Sequence, residues 1–336
     1  MSAPLVDFPS ALLLASGSRV PSIADWLMHS VWSPERFAAL PREEYLRQGE
    51  TSVCQAEETI STGAARLWDE LASASAQAPT PRAFLGLDSP AASAQPITRA
   101  VIVFDGLSLR ELPLLLDLAA KTGFRVDDSR AIVTCLPTET IDFVSQRVLG
   151  PDAAHGTGPN QLQGHGALTA RGVHASYLDS LNPRVALPTG KSLLLWSTYP
   201  DRLFKDDEAR FDTQLFPQFS EHVATLWKYT VQAVPPGVPI VITSDHGYIF
   251  FGGTSESARI STAPEILSQQ RSRVFSPDEA FPARHPDLQL LPERRLALLR
   301  GRLKTRPKGP SSKKLYQHGG LSLMESLVPW VLLNRN

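Results

Sequence analysis

The sequence predicts an α/β protein: a doubly wound, mostly parallel sheet with helices on both faces, preceded by a helical N-terminal region. Three observations carry this. Short, largely apolar runs at Ala100–Phe104, Ala131–Thr134, Ser192–Trp196 and Val238–Ile242 read as strands buried on both faces. Helix-forming stretches separate them, as the crossovers of a parallel sheet require. Residues 20 to 78 carry helical signals.

The elements follow in order. Trp26, Leu27, Val31 and Trp32 cluster ahead of Ser33-Pro34-Glu35, a helix start, and Glu57 to Ala72 is rich in helix formers. The two tryptophans belong either to a core or to a docking surface. Ser89 to Pro96 is small, polar and flanked by proline, so it reads as a linker between a helical region (1–90) and the sheet domain (97–334). The first strand ends in Asp105-Gly106 and a helix runs from Leu107 to Thr122. The second strand ends at Cys135-Leu136-Pro137-Thr138-Glu139-Thr140, the third near Asp201, and the fourth runs into Thr243-Ser244-Asp245-His246-Gly247-Tyr248. Gly150 to Pro188, glycine-rich and holding His155, His165 and His174, is expected to be an insertion with little regular structure. Leu321 to Leu333 is an apolar helix or strand.

Composition narrows the class. A chain of 336 residues holds one large α/β domain with an appendage, or two domains. Apolar content of 42% and charged content of 20% argue against wholesale disorder. A formal charge of −1 gives no global attraction to nucleic acid or anionic membrane. Two cysteines, Cys54 and Cys135, exclude a disulfide framework and point to a reducing, cytoplasmic setting. The apolar stretch from Ala11 to Ala15 is too short for a membrane span, and Asp7 stands where a signal peptide would be basic. No membrane partner is therefore expected. From Pro292 to Lys314 nine Lys or Arg residues face one acid, Glu293. Arg300, Arg302, Lys304 and Arg306 form either a field that steers a polyanion or a solvated helix face.

The strand ends carry the chemistry, because ligands of open α/β sheets bind at the carboxyl ends of strands. Asp105, before a glycine, is placed to reach a cation or to cap a helix. Thr138 and Thr140 precede a helix, where each is an N-cap or a hydroxyl nucleophile activated by a metal. Asp201 is a turn residue or a ligand. Asp245 and His246, adjacent after an apolar strand, are the strongest metal candidates; His318 is a surface group or a further ligand.

Taken in order, these pieces resemble the alkaline phosphatase superfamily and, within it, the PglZ domain. The matching stretches are Val101 to Gly106, Leu136 to Thr140, Thr243 to Gly247 and His318 to Glu325, the last continuing into Leu327-Val328-Pro329. The likeness covers about residues 97 to 334. It implies an alkaline-phosphatase-like fold, one or two Zn²⁺ or Mn²⁺ ions, and phosphodiesterase or phosphatase activity on a phosphoester or nucleic-acid-type substrate. It places Asp105, Asp245, His246 and the nucleophilic threonine around one ion, and Asp201 with His318 at the other. The second threonine of the Pro-Thr-x-Thr turn is the nucleophile of nucleotide pyrophosphatase relatives, which favours Thr140 over Thr138. PglZ domains occur in bacterial anti-phage systems of the BREX kind, so other defence proteins are the implied partners. The chain departs from the pattern at Lys205, where a histidine is expected four residues after Asp201. Either Lys205 supplies charge to the phosphate, or His155, His165 or His174 completes the site, or catalysis has been lost and the chain is a catalytically weak or inactive scaffold that binds partner proteins or a nucleotide.

Overall fold

The computed structural model describes residues 6–9, 18–63, 66–88, 98–150, 153, 156–185, 187–188, 190–205, 215–251, 261–263, 265–305 and 315–335. The helical start comprises α1 (Val20–Trp26), a π-helical turn over Leu27–Val31, α2 (Pro34–Ala39), α3 (Arg42–Gly63), α4 (Arg66–Ser75) and α5 (Pro81–Phe84). Ser33 caps α2 by accepting from the Arg36 amide, as the Ser-Pro-Glu sequence requires. Trp26 and Trp32 are 5% and 0% exposed, so they are core residues and not a docking surface. A Cβ at Gly49 would lie 2.0 Å from the Trp32 ring, so only glycine lets α3 approach it this closely.

Then come β1 (Ala100–Phe104), α6 (Leu112–Lys121), β2 (Arg125–Val133), α7 (Thr140–Phe143) with a π-helical continuation over Val144–Leu149, α8 (Gly166–Thr169), β3 (Val173–Leu178), β4 (Ser192–Ser197), α9 (Asp201–Lys205), α10 (Leu215–Tyr229) and β5 (Ile240–Thr243). Shorter strands follow: β6 (Ile249–Phe250), β7 (Ser272–Val274), β8 (Leu288–Leu291), β9 (Leu296–Leu299) and β10 (Tyr316–Gln317). The short α11 (Leu323–Ser326) leads into β11 (Leu327–Asn334).

The described strands form a central sheet in the order β2-β11-β5-β1-β4-β3. β1 pairs parallel with β4 and β5, and β3 parallel with β4; β11 runs antiparallel between β2 and β5. The sheet is mostly parallel, as expected. Alternate residues of β1 serve opposite cores: Ala100, Ile102 and Phe104 pack with the N-terminal helices, α6 and α10, whereas Val101 and Val103 pack with Phe143, Val148 and Trp196. That two-sided burial is why these strands read as unbroken apolar runs. The helices from α1 to α4 share the first of these cores with the sheet.

Three expectations are corrected. The second strand is longer than Ala131–Thr134 because Arg125 to Ser129, polar and largely exposed, extend it along the sheet edge. Gly150 to Pro188 is not structureless: β3, an edge strand of the main sheet, lies within it. The described part of the basic stretch, residues 292 to 305, is not a helix face; it contains β9 and a turn, and β9 lies in a three-stranded sheet of order β7-β9-β8. Leu321 to Leu333 resolves as a short helix followed by a strand.

Candidate metal centre

β5, β1 and β4 are adjacent and parallel, so their carboxyl ends open on one edge of the sheet. β2 shares that direction, since β11 is antiparallel to both β2 and β5. This topology brings Asp105, Thr140, Asp201, Asp245 and His246 together from four separate strand ends. His318, after β10, approaches from outside the sheet.

The turn after β1 is closed by the backbone: the Asp201 amide donates to the Asp105 carbonyl at 2.9 Å, and the Asp105 amide to the Ser197 carbonyl at 2.9 Å. Gly106 has φ +76°, and a Cβ there would press on Asp201 at 3.0 Å, so glycine is required twice over. The Gly106 amide donates to Asp245 Oδ1 at 3.1 Å, and the Ser244 hydroxyl locks the neighbouring turn by donating to the Phe104 carbonyl at 2.8 Å. Thr134 donates to the Asp245 carbonyl, tying β2 to the same turn.

Asp105, Asp201, Asp245 and His246 are buried, at 6%, 4%, 0% and 0% exposure. His246 Nε2 lies 3.5 Å from both Asp105 Oδ1 and Asp245 Oδ2, too far for a good hydrogen bond. Among the described residues this buried nitrogen has no hydrogen-bond partner. Its Nδ1 is 2.9 Å from the Gly247 carbonyl, an acceptor, so the ring holds its proton there and turns a bare Nε2 lone pair towards the carboxylates. Burial depresses the His246 pKa, opposed by Asp245 and reinforced by His318, so the neutral ring is favoured. A neutral imidazole and two carboxylates, with ligand atoms within 4.8 Å of one another, are a donor set that suits a divalent cation.

His318 stacks on His246 with ring centroids 3.8 Å apart and an interplanar angle of 11°. Its Nδ1 is 3.0 Å from the Thr138 carbonyl, and its Nε2 is 3.8 Å from Asp201 Oδ1. Asp201, His246 and His318 form a second group of possible ligands. Both groups draw on the same His246.

The two threonines differ. Thr138 is fully buried; its hydroxyl accepts from the Gly319 amide at 2.9 Å and donates to the Gly320 carbonyl at 3.2 Å. Thr140, partly exposed at the first turn of α7, donates to Asp245 Oδ2 at 2.7 Å. Thr138 pins the C-terminal loop; Thr140 faces the carboxylate cluster.

Other expected site residues lie elsewhere. His165 and His174 belong to neither ligand group among the described residues; His174 Nε2 is 3.2 Å from Ser176 on β3. His155 and Arg306 lie outside the described residues, as does the side chain of Lys205, whose backbone closes α9. Arg302 pairs with Glu50 at 2.9 Å and donates to the Phe250 carbonyl, and Arg300 donates to Gln289 at 2.9 Å. Lys304 stands 4.9 Å over the Phe251 ring. The described side chains of this set, Arg300, Arg302 and Lys304, thus meet groups of the protein itself. Two neighbours escaped the sequence reading: Glu139, 3.7 Å from His318, and Trp196, whose Nε1 is 3.5 Å from Asp105 Oδ2. Glu139 is the unassigned residue of Pro-Thr-x-Thr, and Trp196 is the one indole in a third strand otherwise aliphatic.

No protein-family model and no curated protein matches this chain. Among solved structures it is similar to murine ectonucleotide pyrophosphatase/phosphodiesterase 5, at 14% identity over 71% of this chain and 88% of that one, with a TM-score of 0.42. An inactive form of that protein in complex with AMP gives 14% identity over 70% and 87%, with a TM-score of 0.41. Phosphonoacetate hydrolase from Sinorhizobium meliloti, in complex with phosphonoacetate, gives 14% identity over 70% and 89%, with a TM-score of 0.37. In the described residues no helix is long and apolar enough to cross a membrane.

Proposed function

We propose that this chain is a metal-dependent phosphodiesterase or phosphatase with Thr140 as nucleophile. The observation that carries the reading is the 2.7 Å hydrogen bond from the Thr140 hydroxyl to Asp245, itself part of the buried carboxylate and imidazole cluster. Asp105, Asp245 and His246 would hold the ion, with Thr140 Oγ1 beside them. When bound, a Zn²⁺ or Mn²⁺ ion supplies Lewis-acid charge that favours the threonine alkoxide and screens the phosphoryl oxygens.

The chain's own residues do the rest. Asp245 Oδ2 accepts the hydroxyl hydrogen of Thr140 and points its oxygen. The Thr140 oxygen forms a bond to phosphorus as the P–O bond to the leaving alcohol breaks, giving a phosphothreonine and the alcohol. Water then cleaves the phosphothreonine, returning the hydroxyl and releasing phosphate or a phosphomonoester. His318, held by the Thr138 carbonyl, and Asp201 flank the reaction centre. Because His246 offers a single nitrogen, one well-coordinated ion fits better than two; the second group is left with Asp201 and His318.

The PglZ assignment and a role in anti-phage defence beside other proteins of such a system belong to the same proposal. They are supported by the His318-Gly319-Gly320-Leu321-Ser322-Leu323-Met324-Glu325 stretch. Lys205 favours a second reading, a PglZ-fold scaffold that binds partners or a nucleotide without turnover. Elemental analysis combined with hydrolysis of bis-p-nitrophenyl phosphate separates the two. Metal-bearing protein that turns over, with Thr140→Ala inert, supports the enzyme. Protein that is metal-free and inert after addition of Zn²⁺ or Mn²⁺ supports the scaffold.

A further inference from the structure

A cleft of about 920 Å³ lies apart from the metal cluster and shares no residue with it. α4 contributes Ser73 and Ser75, the π-helical turn after α7 contributes Gln146 and Arg147, and the turn between β8 and β9 contributes Arg294. Arg147 is 9% exposed. Its Nη2 donates to the Ser75 carbonyl and hydroxyl, while Nε is buried without a hydrogen-bond partner among the described residues. Arg294 also lines the cleft and donates to the Leu136 carbonyl.

Neither guanidinium has a carboxylate within 4.0 Å among the described residues, although Asp69 and Glu293 also line the cleft. Asp69 is held by the Gln289 amide at 2.7 Å. Other deeply buried arginines of this chain are neutralised: Arg110 by Glu50, and Arg271 by Glu325 at 3.0 Å. Among the described residues, Arg147 is the exception. Burial lowers its pKa, and the nearby Arg294 lowers it further. The two cations repel each other at the cleft, and neither, one of them nine-tenths buried, has a carboxylate in ion-pair contact among the described residues.

We infer that the cleft binds the phosphate group of a small molecule between Arg147 and Arg294. The guanidinium fork matches a tetrahedral oxyanion through paired, charge-assisted hydrogen bonds, and the Ser73 hydroxyl adds a neutral donor. Bound phosphate supplies a counter-charge to both guanidinium groups and removes the repulsion. Gln146 Nε2 also donates to the Leu136 carbonyl at 3.3 Å, so two side chains that line the cleft hold the residue leading into Pro137–Thr140, and the ligand engages one of them, Arg294.

The test is titration of the full chain, stripped of divalent metal, with inorganic phosphate, followed by calorimetry and ³¹P NMR. One saturable phosphate is expected in wild type, retained in His246→Ala, weakened at least ~10-fold in Arg294→Gln by loss of one charged donor, and unchanged in Arg295→Gln. Arg294 is exposed, so its replacement leaves folding intact; circular dichroism verifies this. Arg147→Lys keeps the charge but loses the fork and is expected to weaken binding as well. No saturable binding to wild type, full affinity in Arg294→Gln, or loss in His246→Ala would overturn the inference. Because the protein is metal-free throughout, failure here leaves the hydrolase reading untouched, and the converse holds.

Discussion

Thr138 and Thr140 stand two residues apart, yet the structure gives them different work. Thr140→Ala removes the hydroxyl that faces Asp245 and leaves the Asp105–Asp245–His246 donor set in place. The expected outcome is loss of bis-p-nitrophenyl phosphate hydrolysis by at least ~10³-fold, the scale on which catalytic nucleophiles matter, with metal content unchanged. Loss of bound metal in parallel with activity would instead make Thr140 a structural ligand. Thr138→Val leaves the buried Gly319 amide and Gly320 carbonyl without their partner. It should cost about 1–3 kcal/mol in urea unfolding, because an unmet buried polar group loses its full desolvation energy. Its effect on turnover should be indirect, through His318, whose Nδ1 meets the Thr138 carbonyl. Retained stability in Thr138→Val would show that the C-terminal loop is held by other contacts.

Glycine and buried charge decide how the elements meet. A Cβ at Gly247 would fall 2.1 Å from the Met324 carbonyl, and the Gly247 amide donates to the Glu325 carbonyl at 3.0 Å. Gly247→Ala must therefore push α11 away from the Asp245–His246 turn, and a drop in both melting temperature and metal affinity is expected; an unchanged protein would mean that this junction yields freely. Beneath that junction Glu57 of α3 accepts from the Leu323 amide, and burial raises its pKa to about 7. The sign is fixed by linkage. Between pH ~4.5 and ~7 the folded state holds a proton that the unfolded chain has released, so stability falls as pH rises through that window. The contribution is on the order of 3 kcal/mol for a shift of this size, with Glu111 and Glu325 raised in the same direction and Glu50 lowered against it. Glu57→Gln should flatten the pH dependence of urea unfolding of the metal-free chain between pH 5 and pH 8; an unaltered slope would place the titration elsewhere. None of this was legible in the sequence. The strands β1, β4 and β5 were, because burial on both faces leaves unbroken apolar runs, and Asp105, Asp245 and His246 stood out as polar groups at their ends. The polar half of β2 and the strand β3 were not, since edge strands face solvent and lose the apolar signature. The pairing of Glu325 with Arg271, and of Glu50 with Arg110, was invisible for a different reason. A buried ion pair joins residues far apart in the chain, and single positions carry no mark of it.

Among the described residues, three strand ends deliver three buried carboxylates to one small volume, a fourth adds Thr140 and a C-terminal loop adds His318, and on the proposed reading that convergence makes metal binding a stability term. Asp105, Asp201 and Asp245 are each less than a tenth exposed, and His246 is neutral at physiological pH by the direction of its shift. Like charges held close in a dry site oppose folding unless a cation enters. A ligand that binds only the folded state stabilises it by RT ln(1 + [L]/Kd), about 2.7 kcal/mol at a hundredfold excess over Kd. Addition of Zn²⁺ or Mn²⁺ to chelator-treated protein should thus raise the melting temperature in a concentration-dependent way, and His246→Ala should abolish most of the rise. The stoichiometry is expected to be one ion per chain, because His246 Nε2 serves a single ion and the second group then retains only Asp201 and His318. Lys205 closes α9 four residues after Asp201, one helical turn on, so Lys205→His adds a donor on the Asp201 side and should raise the count to two. Two ions in wild type would mean that residues outside the described set complete the second group. One ion in Lys205→His would mean that position 205 does not reach it.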